Sequence, residues 1–574
     1  MSKFLLGLIA GVALVFLGIC LLGWLLVRVE SRSPGIAGNS VLELRLEGDI
    51  PEKAPVELPA IFGQGGAGLT IANVWMALRN AAADPRIKAV LLEPEGLSIG
   101  WARLEEIRTD VERFRKSGKP VVAYLREPGT REYYVALAAD RIDLGPAEPL
   151  MLKGMRAESM SFKGTLDKLG VSVEVEHAGK YKDFGDMFTR ADMSPETREV
   201  LNSVVDDLYG NLVARIAEAR RKSPDEVRDI IDRGPFTAPQ ALQAGLVDEL
   251  RFEDEVWTAM SSRLGGAPKK VSIGAYAGVP AASVGLQGKS RIALVVAEGD
   301  IVRGDSGDSG SGESTLTSYG FDKVLRRVAD DSGIKGAIVR IDSPGGEVTA
   351  SDEIWRQMNL LSKKKPTVIS MSDVAASGGY YMAMTGDPIV AYPGTMTGSI
   401  GVVYGKPNLH GLYDKLGVTK NAIERGKHAD IDSDYTPLSP EERAILRQGI
   451  DESYRDFVSK VAAARHRKFD DVEPLAQGRV WLGSQAATRG LVDRLGGLDD
   501  AVDLVKKKAG IPASERVTIE AYPEPVSILD LLWRRSSPED LLQARLASLF
   551  RGMPFHAWMK GGYLRLMPYW VDAR

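Results

Sequence analysis

Two rhythms of apolar and polar residues alternate along most of this chain. Short runs rich in β-branched residues, such as "IALVVAEG" (292–299) and "AIVRID" (337–342), read as strands with both faces buried. Between such runs lie stretches with apolar residues three and four positions apart, the signature of an amphipathic helix. "SDEIWRQMNLL" (351–361) and "SPEERAILRQGIDESYRDFV" (439–458) are of this kind, and the second opens with Ser, Pro and Glu arranged as a capping box. Strand and helix in alternation predict an α/β layer fold with a largely parallel sheet.

The pattern occurs twice. "RLEGDIPE" (45–52) returns as "VAEGDIVR" (296–303), and "RIKAVLLEPEG" (86–96) as "GIKGAIVRIDSPGG" (333–346). "SGKPVVAYL" (117–125) answers "KKKPTVISM" (363–371), and "YYVALAAD" (133–140) answers "YYMAMTGD" (380–387). "LDKLGV" (166–171) matches "YDKLGV" (413–418), and "AGLVDEL" (244–250) matches "RGLVDRL" (489–495). Matches in one order at nearly one offset identify an internal duplication. The expected division is a first α/β repeat over 40–270, a second over 291–523, and a linker over 271–290, which is low in charge and rich in Gly, Ala and Ser. A second soft segment, "GDSGDSGSGES" (304–314), reads as a surface loop.

The alternation is broken at the N-terminus. Phe4 to Val27 is one uncharged, apolar stretch, long enough as a helix to cross a hydrocarbon core of ~30 Å. A cleaved signal peptide would have a shorter apolar region and a small-residue cleavage site after it. Residues 1–30 are therefore expected to be an uncleaved transmembrane signal anchor, although the flanking charges, Lys3 against Arg28 and Arg32, leave its direction open. Over the whole chain the 44% hydrophobic and 26% charged content is that of a folded soluble protein. A net charge of −4 without a basic stripe argues against nucleic-acid binding. The single cysteine, Cys20, lies inside the apolar span, and none of the five histidines has metal-ligand spacing, so no metal or other cofactor is expected.

The two repeats differ where chemistry could reside. In "SDVAASGGYYMAM" (372–384), Ser377 stands where a strand hands over to a helix. It could be an N-cap, or a nucleophile exposed at the positive end of a helix with Gly beside it. The first repeat has Thr130 at this place, in "REPGTREYY", and no Gly-Gly after it. A structural cap would be wanted in both copies, so the asymmetry favours function.

A serine needs a base. His410 would suit a Ser-His-Asp triad, but its counterpart is Lys163, which marks a helix-edge position. A lysine can serve if burial brings its pKa toward neutrality. "HAGKYKDFGDMFTRADMSPE" (177–196) aligns with "ERGKHADIDSDYTPLSPE" (424–441), so Lys180 pairs with Lys427 while Lys182 faces Ala429. Each half thus holds one member of a pair that the other lacks. Gly345 and Gly346 of "SPGG", together with Gly378, could present N–H groups to a developing oxyanion. Ser399 in "TGSIG" is a candidate hydroxyl for orienting the amine.

The anchor, the duplication, "SDVAASGGYYMA", "DSPGGEVTAS", "GTMTGSIGVV" and "GKYKDFGDMFTRADMSP" together resemble the long, duplicated form of the SppA family of signal peptide peptidases. These are Ser-Lys proteases of the Clp/crotonase superfamily, and the likeness covers roughly 40–523. It implies two tandem Clp/crotonase-like domains, Ser377 as nucleophile and Lys182 as general base. It further implies a homo-oligomer, typically a tetramer, on the outer, periplasmic side of a bacterial cytoplasmic membrane, acting on remnant signal peptides. An acyl-thioester enzyme of crotonase type and a non-enzymatic membrane scaffold are the competing readings. The tail, 524–574, has no counterpart in the first repeat. Its Trp533, Trp558 and Trp570 among basic and apolar residues would suit a membrane interface, but packing on its own domain or on a neighbouring subunit is the expectation.

Overall fold

The computed structural model describes residues 35–53, 68–304, 315–524 and 563–567. The expected anchor, most of the 304–314 loop and most of the tail lie outside these. Among the described residues no helix is long and apolar enough to cross a membrane.

The duplication is legible as strand order. The first sheet runs, edge to edge, Glu249–Leu250, Arg141–Leu144, Val121–Leu125, Ile87–Glu95, Ser40–Glu47, Lys269–Ser272, with every pairing parallel. The second repeats it as Arg494–Leu495, Ile389–Ala391, Thr367–Ala376, Ile334–Ser343, Ser290–Glu298, Val517–Tyr522, again all parallel. The central strands are buried almost throughout, as continuous apolar runs in a sheet covered on both faces must be. The helices lie where periodicity puts them: Val348–Lys364 contains the 351–361 stretch. Pro440–Ala464 starts at Ser439, whose Oγ accepts from the Glu442 N–H while Glu442 Oε2 accepts from the Ser439 N–H.

Residues 271–290 join the repeats but do not run free. Lys269–Ser272 closes the edge of the first sheet, and Ile273–Ala277 is a short helix. Its Tyr276 is fully buried and donates to Asp84 Oδ2 at 2.9 Å. The segment is held by its larger residues, Ile273, Tyr276 and Val279, which are buried, while its small residues are mostly exposed.

Two features bind the halves. The strand Ser172–Ala178 leaves the first repeat and pairs antiparallel along its whole length with Val402–Asn408 of the second. Beneath it, buried charges interlock. Arg340 of the second repeat is fully buried, bonded to Glu52 at 2.8 Å and paired with Glu106 at 3.0 Å, both from the first. Arg103 of the first repeat reaches Asp342 and, at 3.1 Å, Asp373 of the second. Asp373 also accepts from the Gly100 and Arg103 N–H groups at 2.8 and 2.9 Å, so it caps the helix Trp101–Arg115 of the opposite repeat.

Candidate active site

The strand Thr367–Ala376 ends at Ser377, at the carboxyl edge of a parallel sheet, where open α/β sheets place their ligand sites. Ser377 takes φ +51° and ψ −114°, a conformation that costs a non-glycine residue energy. It is held there from both sides: its N–H donates to Gly398 O and its carbonyl accepts from the Tyr381 N–H, each at 2.8 Å. As an N-cap it would have an extended backbone and a side chain turned to the helix. Neither is so, and no capping bond is made. Gly378 is required by proximity, because a Cβ there would stand 2.6 Å from Ser351 Oγ and 3.0 Å from Gly345 Cα.

Lys182 arrives from the other repeat. The exchanged strand ends at Ala178, and the following loop turns into the second repeat, with the Tyr181 N–H donating to Gln477 O at 2.7 Å. This approach needs glycine at 478, where a Cβ would come within 2.6 Å of the Lys182 backbone nitrogen. The Lys182 side chain is fully buried. Its Nζ is hydrogen-bonded to Ser377 Oγ at 2.8 Å, to Ser399 Oγ at 2.8 Å and to the Ser399 carbonyl at 2.9 Å. Ser399 is fully buried and also at positive φ, +51°, fixed by its N–H bond to Arg479 O.

So Ser377, Lys182 and Ser399 meet at one point within a single chain. Gly345 and Gly346 form a short strand, Gly345–Glu347, beside them, with Gly346 only 3.2 Å from a Cβ built on Gly378. His410 is apart: it is half exposed, stacks on Tyr435 and lies 3.6 Å from Asp414. Tyr380 donates to Leu491 O, a bond that fixes the helix to the sheet.

Several contributors escaped sequence reading. Gly478 and Gln477 are turn residues that nothing in the linear pattern ties to Lys182, 296 and 295 positions away. Asp183, next to the lysine, is buried, and burial pushes its carboxyl up to about 6, although Ser194 and Thr197 hydroxyls donate to it. In the first repeat the corresponding turn is filled: the Glu132 carboxylate accepts from the Leu97 and Gly129 N–H groups at 2.6 and 2.9 Å. A carboxylate there occupies donors of the kind an oxyanion would need.

Gly345–Glu347 and Val402–Asn408 belong to one sheet. Between them lies Tyr563–Leu566, a strand of the tail antiparallel to both.

The model of peptidase family S49 matches residues 113–265 and again 359–512. The chain is 38% identical to "Serine protease SPPA, chloroplastic" of Arabidopsis thaliana over 86% of its length and 73% of that protein's. It is 30% identical to "Protease 4" of Haemophilus influenzae, covering 85% of this chain and 83% of that one, and 31% identical to "Protease 4" of Salmonella typhi, covering 80% and 75%.

Proposed function

Because the chain belongs to peptidase family S49 and is a serine peptidase, we propose that it cuts peptide bonds with a Ser377–Lys182 dyad. The observation that carries this reading is the 2.8 Å contact between Lys182 Nζ and Ser377 Oγ, made by a fully buried amine. Burial works against the charged form of an amine, which is what a lysine needs in order to accept a proton. Nζ takes the hydroxyl proton as Oγ attacks the substrate carbonyl. The carbonyl electrons move to oxygen, facing the backbone N–H groups of Gly346 and of Gly378, the first residue of its helix; the Gly345 N–H is instead donated to Ser343 Oγ at 3.2 Å. The same proton passes to the departing amine as the C–N bond breaks. Water then repeats the sequence on the acyl-enzyme and frees Ser377. The Ser399 hydroxyl and carbonyl hold the amine toward Oγ throughout.

The substrate is an extended apolar peptide that pairs with Gly345–Glu347 as an added strand, since a helix hides its amides. Remnant signal peptides fit that chemistry. An enzyme anchored by residues 4–27, with its catalytic part on the outer side of a bacterial cytoplasmic membrane, would meet them as they leave the lipid. The test is labelling by a fluorophosphonate serine probe together with hydrolysis of an apolar peptide. Wild type is expected to show both and Ser377→Ala neither, and a chain that hydrolyses the peptide without Ser377 would end the proposal.

A homo-oligomer is part of the same reading. In the second repeat, residues 419–425 correspond to the exchanged strand 172–178, yet they are exposed and in no strand. Residues 155–161, the first repeat's counterpart of 402–408, are likewise in no strand. Pairing 419–425 of one chain with 155–161 of the next would reuse the internal contact head to tail, which a closed ring satisfies. With residues 1–30 removed, the protein is expected to stay soluble without detergent and to sediment at a multiple of its chain mass. Sedimentation as a single chain at micromolar concentration would exclude the ring.

A further inference from the structure

Resting on the Ser377–Lys182 reading, we propose that Asp183 is a positioning residue for the base: its carboxylate hooks the loop that carries Lys182 onto the first turn of the helix Pro195–Arg220. The side chains of Tyr181, Lys182 and Asp183 divide between two directions. Lys182 Nζ reaches Ser377 Oγ in the second repeat at 2.8 Å. Its two neighbours both return to the helix of the first repeat. The Tyr181 hydroxyl donates to the Glu199 carboxylate at 3.1 Å. Asp183 Oδ2 accepts from the Thr197 hydroxyl and lies 3.1 Å from Ser194 Oγ. The base is thus held from both sides, and the holds are unequal. Glu199 is exposed to competing water, whereas Asp183, Ser194 and Thr197 are all buried.

Helix capping does not account for this carboxylate. Ser194 Oγ already accepts from the Thr197 N–H at 3.0 Å, which is the bond an N-cap serine makes. Asp183 adds a buried group with only one oxygen satisfied, since Oδ1 has no hydrogen-bond partner among the described residues. A carboxylate in that setting costs stability, and the cost is the burial that pushes its pKa up to about 6. The second repeat shows how the same helix start is made where no base is carried. There "SPEE" (439–442) replaces "SPET" (194–197), and Glu442 Oε2 accepts from both the Ser439 N–H and the Ser439 hydroxyl at 2.8 Å. That cap is closed within the helix, and the loop before it has Ala429 at the place of Lys182. In the first repeat Thr197 stands where the glutamate would be, and the carboxylate comes from the loop, one residue after Lys182. The exchange converts a local cap into a tie between helix and base.

The full chain in detergent, assayed on one apolar fluorogenic peptide, tests this. Asp183→Ala is expected to lower kcat about 10- to 100-fold with KM nearly unchanged, because misplacing a catalytic group by about 1 Å can cost about a hundredfold. Asp183→Asn keeps an acceptor for the two hydroxyls and is expected to recover most of that loss. Asp183→Ala combined with Thr197→Glu rebuilds the cap of the second repeat, so its urea midpoint is expected to match wild type while kcat stays low. Wild-type kcat in Asp183→Ala overturns the proposal, and so does an Asn variant no better than Ala. A kcat restored by Thr197→Glu also overturns it, since the carboxylate would then be a helix cap and nothing more. A loss carried by KM alone has the same meaning. Hydrogen exchange of the amides in 179–190 needs no turnover. It is expected to quicken in Asp183→Ala and to stay quick in the double variant, and unchanged exchange overturns the hook whatever the assay reads. Faster exchange in a chain whose hydrolysis does not depend on Ser377 would keep the hook and end the peptidase mechanism.

Discussion

Lys182→Met is expected to lower kcat for peptide hydrolysis by about a thousandfold or more, and Lys182→Arg to do the same. Methionine fills similar space without a titratable group, and arginine keeps a positive charge but cannot give up its proton at any working pH. If the amine acted only as a cation near the oxyanion, arginine would rescue. If it accepts the serine proton, neither variant does, because an unactivated hydroxyl is a weak nucleophile. The magnitude follows serine hydrolases generally, in which nucleophile and base act as a unit and loss of either costs about as much as loss of both. Ser399→Ala is the graded control. It removes one of the bonds that aim Nζ and leaves the Ser399 carbonyl in place, so about a 10- to 100-fold loss in kcat is expected from a single hydrogen bond to a chargeable group. Stopped assays of kcat and KM on one apolar peptide, with circular dichroism to verify folding, read all three. Full activity in Lys182→Met would leave Ser377 without its base.

Ser377 and Lys182, which the structure brings together, stand out in the sequence because the duplication supplies an internal comparison. Ser377 against Thr130, and Lys182 against Ala429, are differences between two copies of one fold, and a structural role would have kept them alike. The α/β class followed from runs such as 337–342, which the structure buries as a central strand. What joins the halves was not legible. The exchange of Ser172–Ala178 for a place beside Val402–Asn408 is a pairing across more than 220 positions, and a half-buried strand looks the same whichever neighbour it takes. The buried charges gave no signal either, since Glu52, Arg103, Glu106 and Arg340 sit in sequence like any surface ion. For the tail the expectation is packing, and Tyr563–Leu566 does pair with strands of the second repeat, but its strand form was not legible. Its aromatic and basic composition suggests a surface, yet a ladder of four residues is set by main-chain bonds, to which composition is nearly blind.

Arg340→Met is expected to destabilise the protein by roughly 3–5 kcal/mol at pH 8, the usual effect of deleting one partner from a buried ion pair. The loss comes less from the missing attraction than from what is left behind. Glu52 and Glu106 are both fully buried, and Arg340 stands between them at 2.8 and 3.0 Å. With the guanidinium present, the Glu52 carboxyl is held below its ordinary range by Arg340 and Arg103 in spite of burial. Burial already pushes Glu106 upward, and burial together with Asp342 pushes Glu298 up to about 7. Without Arg340, Glu52 joins the raised groups. A carboxyl raised in the folded state keeps a proton that the unfolded chain has lost, so its contribution to stability falls as pH climbs from the ordinary carboxylate range through the raised value. The Arg340→Met deficit should therefore be large at pH 8 and shrink toward pH 5, where the abandoned carboxyls are protonated. Adding Glu52→Gln and Glu106→Gln to Arg340→Met should recover most of the loss at pH 8. Urea midpoints at the two pH values, followed by tryptophan fluorescence, measure this. The network also fixes the first repeat against the strand that ends in Ser377, through Asp373 and Ser372. Activity should accordingly fail at lower urea than global fluorescence does in Arg340→Met, because parting of the halves separates Lys182 from Ser377 before either domain unfolds. A deficit of equal size at pH 5 and pH 8 would mean that Arg340 contributes packing and not charge.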